Sequence, residues 1–248
     1  MRDTTLSQRQ ADIIDCLVRE HIRTALPVSS EMLVRKYGFE MSSATMRNEF
    51  AALSEKGYLS QPYVSSGRVP TASAYQFFVA GRIDNWAPPH RFTEFLRETM
   101  TRSLLSDMAS LLSATQEILH YFSETTHTVS ILSFGGFNLQ EGLEFVVSQP
   151  EFANTSGVQR LLDAVEDAER IFHTMPEVRE PGRARVVIGN QDSLSDFDDF
   201  AMVFGFLPEG ANREARGFAA LGPMRMHYEK VVPMASELLQ VLDRFVRV

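Results

Sequence analysis

Apolar side chains in the first part of the chain recur every three or four residues, the spacing of one face of a helix. The first such face consists of Ile13, Ile14, Leu17, Val18 and Ile22. Ser7 and Gln10 precede it at the three-residue spacing of a capping box, so we expect a helix to begin after Ser7. Pro27 falls in the connection that follows this helix.

A second, shorter apolar segment is preceded by a pair of serines and followed by a glycine. Ser29 or Ser30 is expected to cap a helix in which Met32 and Leu33 point inward. Gly38 is expected to end that helix, because glycine readily adopts the left-handed conformation that follows a helix C-terminus.

The third helical pattern has Met46, Phe50 and Leu53 on its inward face. Ser42 or Ser43 is expected to cap this helix, and Gly57 to end it. At about 100° per residue, the opposite face carries the side chains listed next. These are Ala44, Asn48, Ala51 and Glu55, flanked by Thr45 and Arg47.

A strand-like stretch over residues 58–63 follows the third helix, and residues 65–68 have the composition of a turn. Val69 begins the return strand, and Thr71 is expected to cap a fourth helix carrying Tyr75, Phe78 and Val79. The order of helix, helix-turn-helix and hairpin predicts a winged helix-turn-helix.

Beyond residue 82 the pattern changes to strands interleaved with helices. Residues 83–90 are predicted to be a linker because Pro88 and Pro89 cannot continue a helix. A single long helix is predicted over residues 92–122, since its apolar positions alternate in steps of four and three. Those positions are Leu104, Met108, Leu111, Thr115, Ile118 and Phe122.

The remaining apolar runs complete a sheet domain. Strands are predicted at residues 129–134, 143–147, 185–189, 200–206 and 217–221. Helices are predicted at residues 157–173 and 226–245, and a polar hairpin loop at 208–216. The fold class is therefore α+β, with a winged-helix domain at 1–82, a linker at 83–90 and an antiparallel sheet domain at 91–248.

Charge is distributed unevenly between the two parts. The chain of 248 residues has a formal net charge of −8, yet residues 1–82 hold 10 Lys and Arg against 8 Asp and Glu, whereas residues 83–248 hold 14 against 24. A DNA-contacting domain attached to an acidic one has this asymmetry, because phosphate contacts need cations only locally. The excess of two positive charges is small and is weak support on its own.

The exposed face of the third helix carries side chains suited to base edges. Asn48 fits the N6/N7 edge of adenine, Arg47 fits the O6/N7 edge of guanine, and the Thr45 methyl group fits the methyl group of thymine. Residues 63–68 offer one cation and several hydroxyl groups, which suits phosphate or minor-groove contact. The alternative is that Arg47 and Asn48 are simply solvated, and only the complete helix-turn-helix and hairpin order favours DNA binding over it.

Signals of catalysis are weak. The sequence lacks the glycine-rich nucleotide motifs and the nucleophile elbow of hydrolases. Two Glu-x-x-His pairs, ending at His120 and His127, fall in one segment, whereas di-iron sites draw such pairs from facing helices. Cys16 is expected to be a buried small side chain. We therefore expect no enzyme activity, no metal and no cofactor.

The sequence contains no apolar run of transmembrane length, and its first residues lack the apolar core of a signal peptide. A single cysteine excludes an internal disulfide. These features predict a soluble cytoplasmic protein without a membrane partner.

Two groups of motifs resemble the family of the heat-inducible transcription repressor HrcA. The first group runs through the head of the chain: 27–30 (PVSS), 42–49 (SSATMRNE), 57–59 (GYL), 61–62 (QP), 66–71 (SGRVPT) and 75–79 (YQFFV). The second comprises 149–152 (QPEF) and 222–231 (GPMRMHYEKV). The resemblance covers the head and most of the sheet domain.

The resemblance implies a winged-helix head joined to a GAF-like domain. It also implies a homodimeric repressor that binds an inverted-repeat operator upstream of chaperone genes, depends on the chaperonin for activity, and is released on heat stress. By motif position, the DNA-binding residues are Ser43, Thr45, Arg47, Asn48, Ser66 and Arg68.

This sequence departs from the family pattern in two respects. The stretch between residues 134 and 149 leaves no room for the dimerisation domain that is usually inserted there, so another surface must supply the dimer interface. In the closing motif, Met224 stands where Thr is usual and His227 stands where Asp is usual. An alternative function is a winged-helix repressor whose GAF-like domain senses a small ligand in place of heat, since the Phe-rich apolar sheet could enclose a pocket although most such side chains form core.

Overall fold

A computed structural model describes residues 6–103, 108–134, 137–174, 183–190, 199–207 and 217–246. The chain divides into two compact units, Met1–Arg82 and Ile83–Val248. The elements of the first unit are α1 (Gln8–Thr24), α2 (Ser30–Tyr37), α3 (Ser43–Glu55), β1 (Leu59–Ser60), β2 (Val69–Pro70) and α4 (Ala72–Ala80).

Hydrogen-bonding side chains set the starts of the first three helices. Ser7 and Gln10 form the predicted capping box of α1. Ser29 accepts a hydrogen bond from the Met32 amide at the start of α2, and Ser42 accepts one from the Thr45 amide at the start of α3. The first serine of each predicted pair is thus the cap.

The hairpin and α4 differ in detail from the prediction. Only Leu59–Ser60 and Val69–Pro70 form strands, paired antiparallel, so the strand-like stretch at 58–63 is shorter than expected. Thr71 occupies the predicted N-cap position of α4, but its side chain makes no capping hydrogen bond. Its hydroxyl group instead donates to the Gly57 carbonyl over 2.7 Å, which ties the start of α4 to the end of α3.

The core of the first unit is made by the predicted apolar faces. Burial of such faces is the main source of stability in a small unit of this kind. The buried side chains include Ile13, Ile14, Leu17, Val18, Val28, Leu33, Met46, Phe50, Leu53, Leu59, Tyr75 and Phe78.

A buried carboxylate joins α1 to α2. Glu20 is only 3% exposed, and it accepts hydrogen bonds from Arg23, Lys36 and Tyr37. Burial alone would raise the pKa of Glu20, but these hydrogen bonds outweigh it and lower the pKa to about 2. Burial also raises the pKa of Cys16 to about 11, so this half-buried thiol stays protonated.

The second unit contains the remaining elements. Its helices are α5 (His90–Ser103), α6 (Met108–Thr126), α7 (Leu143–Val147), α8 (Thr155–Thr174) and α9 (Tyr228–Val246), with single 3-10 turns at Ile83–Asn85 and Pro150–Phe152. Its strands are β3 (Val129–Phe134), β4 (Phe137–Glu141), β5 (Arg185–Ile188), β6 (Phe200–Phe206) and β7 (Gly217–Pro223).

The five strands form one antiparallel sheet in the order β4-β3-β7-β6-β5. Helix α8 and the segment around α7 pack on one face, where Phe152, Leu161 and Phe200 belong to one apolar cluster. This α+β arrangement agrees with the predicted class and is compatible with a GAF-like domain. Most predicted strands and both later helices are confirmed, whereas the predicted loop at 208–216 lies outside the described residues.

The prediction of one helix over residues 92–122 is wrong. Helices α5 and α6 lie side by side, with the rings of Phe92 and Phe122 6.0 Å apart and those of Phe95 and Tyr121 4.5 Å apart. A continuous helix would separate Phe92 from Phe122 by about 45 Å at its rise per residue. Apolar positions in steps of four and three occur both in a helix that packs on another helix of its own chain and in one that packs on a partner chain. The spacing therefore does not show where one helix ends and the next begins.

The predicted strand at residues 143–147 is also wrong, because this stretch forms α7. Gly142 begins it at a φ of 92°, a conformation that interrupts the preceding strand. Leu143, Val146 and Val147 then share one helical face toward the apolar cluster. A short apolar run is compatible with either element, and here the glycine determines the outcome.

We expect the contribution of Glu20 to stability to depend on pH. Because its folded-state pKa of about 2 lies below the ordinary 4.5, the stabilisation is complete above about pH 4.5 and is lost as the pH falls toward 2. Glu20→Gln should therefore weaken amide-exchange protection in α1 and α2 by about 3 kcal/mol at pH 7, and by less than half as much at pH 3. Glu40→Gln, which alters an exposed carboxylate of the same unit, serves as the control. An equal loss for Glu20→Gln at both pH values would contradict the assignment.

Candidate nucleic-acid interface

Helix α3 has one buried face and one exposed face. Met46 and Leu53 are fully buried and Phe50 is 4% exposed. The predicted outward positions Ala44, Thr45, Arg47, Asn48, Ala51 and Glu55 are all exposed. Ser43, the first residue of the helix, is half-buried. The structure thus directs Arg47 and Asn48 to the surface, as the sequence predicted.

A polar clamp fixes the rotation of α3 against α1. The Gln10 side-chain amide is nearly buried; it donates to Glu49 over 3.2 Å and accepts from Lys56 over 3.0 Å. Arg9 also lies 3.6 Å from Glu49. Glu49 lies in α3 and Lys56 directly follows the helix, about two turns later. These contacts therefore favour the rotation that keeps the outward face of α3 exposed.

The hairpin is held against the connection between α1 and α2. The Val28 amide donates to the Arg68 carbonyl over 2.8 Å, and the Arg68 amide donates to the Val28 carbonyl over 2.9 Å. The backbones come so close that a Cβ atom on Gly67 would lie 2.3 Å from the Val28 carbonyl oxygen. Only glycine fits at position 67 without displacing the backbone.

Side-chain hydrogen bonds order the tip of the hairpin. The Gln61 amide donates to the carbonyl groups of Val64 and Ser66 over 2.9 and 3.1 Å. The Ser66 hydroxyl donates to the Tyr63 carbonyl over 2.7 Å and accepts from the Tyr63 amide over 3.2 Å. Ser66, expected to contact DNA, therefore shapes the turn.

A groove of about 390 Å³ separates α3 from the hairpin. Its lining brings together three of the predicted residues, Arg47, Ser66 and Arg68, whereas Ser43, Thr45 and Asn48 lie on α3 outside it. The other lining residues are Ser29, Ser30, Glu31, Phe50, Gln61, Val64, Ser65 and Gly67. Sequence reasoning missed the start of α2 and Gln61, because their approach to α3 depends on the contact between Val28 and Arg68.

The charges of the first unit leave this groove open to an anion. Several acids are already neutralised by neighbours: Asp15 by Arg19 and Arg82, Glu20 by Arg23 and Lys36, and Glu49 by Arg9. Within the described residues, the side chains of Arg47 and Arg68 form no ion pair. Glu31 is the acid in the lining.

The second unit brings the two later motifs together. Arg225 forms a bidentate ion pair with Glu151 and donates to the Gln149 side chain over 3.1 Å. The Tyr228 hydroxyl donates to the Met224 carbonyl over 2.6 Å. His227 directly precedes α9, and burial followed by the nearby charge of Lys230 lowers its pKa. These motifs thus fasten the start of α9 to the 3-10 turn at Pro150–Phe152.

Within the described residues, two further classes of feature are absent: a metal-binding cluster and a membrane-spanning helix. Across the described ranges, no three His, Cys, Asp or Glu side chains gather closely enough to hold a metal ion. Every described helix is too short or too polar to span a bilayer. Phe200, Phe204 and Phe218 in the sheet are buried among other apolar side chains.

Comparison with known proteins identifies the family. The family described as HrcA protein C-terminal domain matches residues 89–232, more than half of the chain. The chain belongs to the HrcA family. The heat-inducible transcription repressor HrcA of Syntrophobacter fumaroxidans is 21% identical over 339 aligned residues, covering 96% of this chain and 97% of the relative. HrcA of Chloroflexus aurantiacus is 50% identical over 74 residues, 30% of this chain and 20% of the relative.

This chain is a short form beside the first of these HrcA relatives. Because 96% of 248 residues is about 238 residues, about 100 of the 339 aligned positions have no residue of this chain. A solved structure described as a hypothetical protein at 2.2 Å resolution has a TM-score of 0.70 and 16% identity, covering 98% of this chain and 99% of that chain. That likeness shows a shared fold.

We expect Gly67→Ala to displace the hairpin, because the added methyl group would meet the Val28 backbone. The amides of Val28 and Arg68 should then exchange with solvent at least tenfold faster, a change that hydrogen exchange measures directly. Gly81→Ala is the matched control, since a Cβ atom there meets nothing closer than 3.7 Å. Unchanged protection at Val28 and Arg68 in the Gly67 variant would show that the close approach does not hold the hairpin.

Proposed function

We propose that this protein represses heat-shock genes by binding operator DNA as a winged helix-turn-helix. The observation that carries the proposal is the exposed face of α3 beside a groove in which Arg47 and Arg68 have no acidic partner among the described residues. In this assignment α2 and α3 form the helix-turn-helix and β1 and β2 form the wing. Membership of the HrcA family supports the regulatory role.

Helix α3 is the recognition helix in this proposal. Ala44 and Ala51 are small and exposed, which lets the helix backbone approach the floor of the major groove. Arg47 and Asn48 then read guanine and adenine edges, and the Thr45 methyl group contacts a thymine methyl group. Ser43 lies at the helix N-terminus, where amide groups favour a phosphate.

The groove between α3 and the hairpin takes one sugar-phosphate strand. Arg68 supplies a cation there, and Ser29 and Ser30 supply polar groups at the start of α2. The negative charge of Glu31 repels a phosphate group at one place along the lining, which limits the affinity for non-specific DNA. Arg68 therefore contributes affinity for any duplex, whereas Arg47 contributes sequence preference.

The remaining assignments extend the family function to this chain. The DNA-binding domain is 1–82 and a GAF-like regulatory domain follows the short linker. The repressor acts as a homodimer on an inverted repeat, is released on heat stress, and takes the chaperonin as a partner that maintains its active state. Because the chain has no room for the inserted dimerisation domain, the dimer interface is formed by the second unit or by the first. A cytoplasmic location and the absence of enzyme activity belong to the same proposal.

The deciding experiment is a footprint on DNA upstream of chaperone genes from the source genome. The intact protein should protect two half-sites related by an inverted repeat, with centres one helical turn or a multiple of it apart. Equal affinity for that DNA and for random DNA of the same length would contradict the proposal.

Two arginine variants should separate base reading from phosphate contact. Arg47→Ala should reduce the ratio of specific to non-specific affinity by about tenfold or more, because a bidentate pair discriminates by about 1–3 kcal/mol. Arg68→Ala should weaken binding to all duplexes alike and reduce the salt slope by about 1. Arg244→Ala removes an exposed charge from the second unit and is the control. Titrations at several salt concentrations measure both effects, and identical behaviour of the two variants would overturn the contact assignment.

A further inference from the structure

Two large side chains at the hairpin tip are exposed although most large apolar side chains of the first unit are buried; Leu26, in the connection after α1, is also exposed, at 64%. Val64 is 98% exposed and Tyr63 is 63% exposed. Isolated exposed apolar residues are common on protein surfaces and need no function. Here the backbone that carries them is held in one conformation by Gln61 and Ser66. An ordered turn that presents a fully exposed isopropyl group is suited to contact another surface.

The position of Val64 relative to α3 indicates which surface it contacts. Val64 and Arg47 both line the groove between the hairpin and α3. In B-form DNA, one sugar-phosphate strand separates the major groove from the neighbouring minor groove. If α3 occupies the major groove and the strand lies in the protein groove, the hairpin tip faces the minor groove.

We propose that Val64 is a minor-groove contact that disfavours guanine beneath the hairpin tip; the proposal rests on the proposed function. Apolar side chains do enter the minor groove in other DNA-binding proteins. The isopropyl group offers no hydrogen-bond acceptor to the guanine 2-amino group, which projects from the groove floor. A base pair without that amino group leaves room for the side chain and avoids burying an unpaired donor.

The charge of the hairpin supports the same placement. Residues 57–71 contain no Asp or Glu, and Arg68 lies at the base of the turn. A narrow minor groove has an enhanced negative potential, which attracts arginine and repels carboxylates. The apolar tip and the nearby cation therefore favour the same A·T-rich sequence.

Inosine substitution tests the inference at single positions. Replacing guanine by inosine removes the minor-groove amino group and leaves the major-groove O6 and N7 atoms in place. Each guanine of the footprinted operator is replaced by inosine in turn. Where A·T pairs lie under the hairpin tip, a guanine is first introduced there and is then replaced by inosine. For the wild-type protein, inosine at one position in each half-site should bind about fourfold more tightly than guanine, the change expected for burying one further CH₂ group.

Matched variants assign that preference to Val64. Val64→Ser should abolish the preference for inosine, and Val64→Ile should retain it. Arg47→Ala should weaken specific binding while leaving the inosine preference unchanged, since inosine preserves the major-groove edge. Because Val64 is 98% exposed, its substitutions should not change the thermal unfolding of the protein.

The possible outcomes distinguish this inference from the function on which it rests. Specific operator binding without any inosine preference, or with the same preference in Val64→Ser, would overturn the assignment of Val64 and leave the repressor function standing. Failure of the wild-type protein to distinguish operator from random DNA would overturn the proposed function, and the minor-groove contact with it.

Discussion

The burial of Met46, Phe50 and Leu53 is the constraint on which the proposed DNA-binding surface depends. These three side chains occupy one face of α3 and are almost completely removed from solvent, so the helix cannot rotate without exposing them, at a cost of about 1.5–3 kcal/mol for each large apolar side chain. The clamp between Gln10 and α3 adds polar contacts that favour the same rotation. The outward direction of Arg47 and Asn48 is thus a consequence of core packing.

The hairpin completes a surface that α3 alone would not provide. Two backbone hydrogen bonds join Val28 to Arg68, and Gly67 permits the close approach that they require. The same contacts place Arg68 and Val64 across the groove from Arg47. In the proposed complex, α3 reads bases in the major groove, the protein groove holds a sugar-phosphate strand and the hairpin tip disfavours guanine in the minor groove. On this proposal one small unit contacts both grooves of the duplex.

Local interactions made much of this structure predictable from sequence. The caps at Ser7, Ser29 and Ser42 involve residues three positions apart, and the faces of α1 and α3 follow helical spacing. Features that depend on distant contacts were missed. The groove needs the pairing of Val28 with Arg68, forty residues away, and the side-by-side packing of α5 and α6 depends on which surface their apolar stripes meet. The short apolar run Leu143–Val147 is compatible with a strand or a helix, and the positive φ of Gly142 is what ends the preceding strand and allows the helix.

Protection of guanine N7 from dimethyl sulfate tests the central claim most directly, because N7 lies in the major groove, where α3 is proposed to bind. The account predicts at least one protected guanine in each half-site of the operator bound by the wild-type protein. At protein concentrations that saturate the DNA, that protection should disappear in Arg47→Ala and persist in Arg68→Ala. A pattern of protection unchanged by Arg47→Ala would contradict the account, since the exposed face of α3 would then not read the bases.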